Sequence, residues 1–170
     1  MGELTPQERL QPALLDRLID DEPERRQEAP DARVITRSGL RLAVLRDLGW
    51  LFNCVRPDST AGLAPHEQVS HSVLNFGLPA LAGGTAAELD LLAVERNVRQ
   101  AILDFEPRIT PASLHVEALA TDALLERHNV VSIRIRGQLW AQPVPLELLL
   151  RTDVDLETGT VEIRDLGKGA

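Results

Sequence analysis

Residues 105–111, Phe-Glu-Pro-Arg-Ile-Thr-Pro, separate two kinds of periodicity and so constrain the fold more than any other stretch. From Glu88 to Phe105 the chain reads as an amphipathic helix, with Leu89, Leu92, Val98, Ile102 and Phe105 on its buried side. Thr85 and Glu88 ahead of it have capping-box spacing. Pro107 cannot continue that helix, because it lacks an amide N–H and biases Glu106 toward extended backbone. Beyond it the period becomes two. Leu114 to Ala118 and Val131 to Arg136 alternate, Pro145 to Asp155 reads as a third strand, and Glu157-Thr158-Gly159 turns into a fourth at Val161 to Ile163. Helices first and strands after predict an α+β fold: N-terminal helices followed by an antiparallel sheet of about four strands, with the helices packed on one face.

Upstream, Ser38 is the expected N-cap of a helix running to about Phe52, with Leu40, Val44, Leu45, Leu48, Leu51 and Phe52 as its apolar face. Residues 56–62 read as a loop, and a short helix starts at Pro65 and is broken at Asn75 to Pro79. Nearer the N-terminus, Leu10, Leu14, Leu15 and Leu18 form a helical stripe, with the helix proper beginning near Pro12. The charged run Asp20 to Asp31 has no periodicity and reads as a linker. The expected organisation is therefore 1–31 as amphipathic helix and linker, 32–165 as one α+β domain, and 166–170 as a frayed tail. A short apolar helix on a linker docks either on its own domain or on a partner, and the pattern leaves both open.

A net charge of −8 argues against nucleic acid, whose binding is dominated by phosphate neutralisation. It argues equally against unaided attraction to an anionic membrane or cell-wall surface. No apolar run approaches the ~18 residues of a membrane span. The N-terminus lacks the basic start and apolar stretch of a signal peptide, and the single Cys54 suits a reducing compartment, so a soluble cytoplasmic protein is expected.

Motifs for catalysis are weak. His66 and His71 are spaced i, i+5, whereas a zinc-binding helix needs i, i+4, so surface histidines are expected. His115 and His128 have no ligand partner nearby in sequence, and no cofactor or metal is expected. Gly83-Gly84 lacks the adjacent basic residue and leading strand of a phosphate loop. Glu95, Asp104, Glu106 and Glu117 supply carboxylates, but pairs of them arise by chance among 26 acidic residues. At the corner itself, Glu106 and Arg108 stand two apart and are expected to project to one side. They form either a solvated ion pair worth about 0–1 kcal/mol or a preorganised pair for charge-assisted bonds to a partner. On either view Arg108→Glu is expected to leave the fold intact.

Several segments, in order, resemble the TssE-like proteins of the phage tail baseplate wedge (lysozyme-like) family. They are Leu14-Leu15-Asp16-Arg17-Leu18, Leu45 to Asn53, Ser72 to Pro79, Phe105-Glu106-Pro107-Arg108-Ile109, Gly137 to Ala141, and Leu150 to Gly159. Phe76 stands where the family often has tyrosine. The resemblance implies a structural subunit of the type VI secretion baseplate, assembled at the cytoplasmic face of the inner membrane. It implies TssF, TssG and TssK as wedge partners and the contractile TssB/TssC sheath as the structure nucleated on it. The family's Glu-Pro-Arg motif, implicated in joining wedge components, maps to Glu106, Pro107 and Arg108, and Leu14, Leu15, Asp16, Arg17 and Leu18 form a second candidate contact. The alternative is a peptidoglycan hydrolase using Glu106 or a nearby carboxylate. Acidic charge, scarce aromatics and the lack of a definable acid and nucleophile weigh against it.

Overall fold

The alternation predicted after Pro107 builds the sheet around which the helices are arranged. In the computed structural model, which describes residues 13–18, 24, 35–57, 63, 66–81, 90–119, 129–141 and 144–167 (Arg17 by its backbone alone), four strands follow the helices. They are β1 (His115–Leu119), β2 (Val130–Leu139), β3 (Leu146–Asp155) and β4 (Val161–Asp165), antiparallel in the order β1-β2-β3-β4. Register brings Val131 opposite Val154, Ile133 opposite Thr152 and Ile135 opposite Leu150, all on one buried face. The other face carries a row of Glu117, Arg134, Arg151 and Arg164 across the four strands.

Helix α1 (Leu14–Leu18) precedes α2 (Arg37–Phe52), a short α3 (Glu67–Ser70) and α4 (Leu91–Phe105). The long helices α2 and α4 cover the apolar sheet face, and Leu48, Val98 and Ile102 join Ile133, Ile135 and Leu150 in one core. Arg41 of α2 clamps the far edge, donating to both carboxylate oxygens of Asp165 at 2.5 Å and to the Glu147 carbonyl at 2.7 Å. At the other end of β4 the Asn53 side chain pairs with the N–H and the C=O of Val161.

Local chemistry differs from the sequence expectation in three places. Thr36, not Ser38, caps α2, its hydroxyl accepting from the Gly39 amide at 3.0 Å. Asp90 caps α4 by accepting from the Ala93 amide. Leu92 is exposed, because the buried stripe of α4 runs through Val94, Val98, Ala101 and Ile102. Leu10, Pro12, Pro65, Gly83, Gly84, Thr85, Glu88, Leu89, His128, the 20–31 stretch apart from Glu24, and 168–170 lie outside the described residues. Of the expected tail, Leu166 donates to the Leu149 carbonyl and Gly167 to the Asp165 carboxylate.

One glycine positions the site. Gly77 has φ +123°, and a Cβ there would lie 2.3 Å from the Cys54 carbonyl oxygen. The turn it makes lets Val55 bridge Leu78 and sets Phe76 edge-on to Phe105, ring centroids 5.2 Å apart. Gly77→Ala combines forbidden backbone with a backbone clash, so urea unfolding is expected to show a loss of at least about 1–3 kcal/mol.

Candidate interaction site at the helix–sheet corner

The corner is a tight turn rather than the extended segment expected. Glu106 ends α4, its amide still donating to the Ile102 carbonyl, and the Ile109 amide returns to the Glu106 carbonyl at 3.2 Å. Pro107 thus occupies the second position of a four-residue turn, which its fixed φ favours. The end of β2 clips the turn in place: the Trp140 amide donates to Arg108 and the Thr110 amide to Gln138.

This turn aims Glu106 inward. Its residue is 3% exposed, so burial of an ionised carboxylate demands a cation. Arg108 supplies it. Its backbone amide (3.1 Å) and Nε (2.7 Å) donate to Oε1, and Nη2 reaches Oε2. The same Nη2 donates to Asp47 of α2 at 2.6 Å. Burial alone pulls the Arg108 guanidinium down, but the Glu106 and Asp47 carboxylates outweigh it and hold the group above its ordinary value.

The network continues toward the N-terminus. Arg46, beside Asp47 in sequence, pairs with it through Nε at 2.9 Å and Nη2 at 2.8 Å, and lies over the Trp50 ring at 5.1 Å. Arg46 Nη1 then donates to Asp16 of α1. Hydrogen bonding from Arg46 holds the Asp16 carboxyl below the usual carboxylate range. Carboxylate and guanidinium therefore alternate from Asp16 through Arg46, Asp47 and Arg108 to Glu106.

The two segments singled out in the sequence, 14–18 and 106–108, are thus brought together by Arg46 and Asp47, which sequence reasoning left without a role. They share one groove of about 560 Å³, whose apolar lining includes Leu15, Trp50, Phe76, Phe105 and Pro107. Leu14 and Leu18, at 74% and 73% exposed, face away from the body, and Arg17 is described by its backbone alone. Because Glu106 is buried, the expectation of a solvated corner is corrected, and loss of the pair carries a stability cost.

The carboxylates considered for hydrolysis are committed elsewhere. Glu95 accepts from the Ala118 amide of β1, Asp104 binds His71 and Gln100, and Glu117 pairs with Arg134. Both oxygens of Glu106 are held by Arg108. Among the described residues, no helix is long and apolar enough to cross a membrane.

The family model of baseplate wedge protein gp25 matches residues 38–144. The chain belongs to the baseplate wedge gp25 family. The wedge match spans α2 to the end of β2 and so contains Arg46, Asp47, Trp50, Glu106 and Arg108, while α1, β3 and β4 lie outside it. No curated protein and no solved structure matches the chain. Membership of the wedge family supports a structural role like that in a phage baseplate, with other baseplate components as partners.

Two outcomes follow from the network. Arg108→Met leaves Glu106 buried without its cation and is expected to cost about 3 kcal/mol, the lower end for a broken buried pair because Arg108 keeps some exposure. Glu106→Gln with Arg108→Met is expected to cost less, which urea unfolding of both variants checks. Acid acts on Asp16: its lowered folded value contributes stability above the unfolded pKa of about 3.9, lost as pH falls through the folded value. An NMR titration is expected to show the α1 amide shifts moving below that pH.

Proposed function

We propose that this wedge-family chain is the TssE-like subunit of a type VI secretion baseplate. It joins TssF, TssG and TssK at the Glu106–Pro107–Arg108 corner and helps nucleate the TssB/TssC sheath at the cytoplasmic face of the inner membrane. The observation that carries this reading is the corner's construction. A guanidinium fixed by Glu106 and Asp47 borders an apolar groove beside the exposed Trp50, the mixture of anchor and oriented charge found at interface centres. Arg108 Nη1 is itself buried and has no acceptor among the described residues, so the partner contact rests on the oriented guanidinium and the apolar groove together. Leu14, Leu15, Asp16, Arg17 and Leu18 extend the same surface. The outer strands β1 and β4 are the edges to which sheath strands would add by β-augmentation.

The test is co-purification of the tagged chain with co-expressed TssF and TssG, beside an Arg108→Gln variant verified as folded by circular dichroism. Wild type is expected to retain both partners. The variant is expected to recover about thirtyfold less or lower, the effect of losing roughly 2 kcal/mol at a buried interfacial charge. Equal recovery would remove the corner from the interface. Failure of both chains would remove the baseplate role and make cell-wall hydrolysis the next assay.

A further inference from the structure

Helix α1 docks by its polar side. Asp16 faces α2 and accepts from Arg46, whereas Leu14 and Leu18 point away from the body, so charge makes a large part of the attachment. The donor it uses is shared. Arg46 also engages one oxygen of Asp47, and the other oxygen of Asp47 accepts from Arg108. Three carboxylates, Asp16, Asp47 and Glu106, draw on two guanidiniums, so a change at one end redistributes bonds at the other.

We propose that this relay makes α1 a releasable strap whose docking depends on what Arg108 is bonded to. When an acceptor on a partner draws Arg108 off Asp47, Asp47 keeps Arg46 as its cation. Arg46 turns to Asp47, and its hold on Asp16 weakens. The electrostatics have the same sign, because the positive charge of Arg108 helps hold the Asp16 carboxyl below the usual range. Release frees Leu15 to join the already exposed Leu14 and Leu18 in a second, apolar contact, on a segment joined to α2 by the charged 20–31 stretch of sequence. With the corner unoccupied, the strap stays down. The coupling is a property of the isolated chain, and only its use in assembly rests on the corner being the partner contact.

Millisecond amide hydrogen exchange on the full chain tests this. Arg108→Gln leaves Asp47 free for Arg46, and the amides of 14–18 are expected to exchange at least about threefold faster while β2 and β3 keep their protection. Asp47→Asn removes the charge that competes with Asp16 for Arg46, and is expected to slow the same amides. Opposite signs are the signature, since general destabilisation speeds exchange in both variants. Unchanged α1 exchange in either variant, or faster exchange in both, overturns the proposal. If Arg108→Gln loses protection throughout the sheet, Asp47→Asn decides alone: slower exchange supports the strap, and unchanged or faster exchange overturns it. Because no partner is present, failure here leaves the baseplate reading standing, and failed co-purification leaves the strap standing.

Discussion

An ionised carboxylate at the end of a helix, sealed from water, has to be given a cation, and the geometry around Glu106 follows from that requirement. Pro107 stops α4 and bends the chain, so the cation arrives two residues later as Arg108. The turn then runs into the end of β2, and Asp47 draws α2 onto the same guanidinium. The two helices are tied at this point by charge-assisted bonds whose directions tolerate little displacement, and backbone bonds join the end of β2 to the same turn. Packing elsewhere is less particular: the core beneath is Leu, Ile and Val, and such cores accept volume-conserving changes.

The proposed interface is built around a group that also serves the fold, and that has a physical rationale. An exposed arginine searches many rotamers and loses that freedom on binding, whereas Arg108 has lost it already. On the proposed reading a partner meets a guanidinium already held in place, beside an apolar groove and the exposed Trp50. The same commitment of charge weighs against hydrolysis. Glu106, Glu95 and Asp104 each hold a structural bond, and a general acid needs a carboxyl open to its substrate.

The extension of the network to α1 changes how the N-terminal leucines are understood. As sequence they suggest a helix burying an apolar stripe. In the structure the aspartate is the docked group, and two leucines remain turned outward. A short helix held largely by charge is a low-stability element, which suits a segment that exchanges partners.

The periodicities in the chain determined the class of fold, because side-chain alternation and helical stripes are local consequences of backbone geometry. The sheet, its order after the helices and the turn at Glu157 to Gly159 were legible on that ground. So was the importance of 105–109, where a proline must end a helix. Cap identity was less legible: Thr36 and Ser38 are both good caps, and only the final backbone path chose between them. Leu92 misled because hydrophobicity alone does not say how far a buried stripe extends. Tertiary structure alone decided that Glu106 faces inward and that Asp47, 61 residues from Arg108, shares that arginine. It also decided that Arg46 links this corner to Asp16. Such pairings carry no local signal, since the charges that meet are selected by the packing of α2 against α4, a contact between segments distant in sequence.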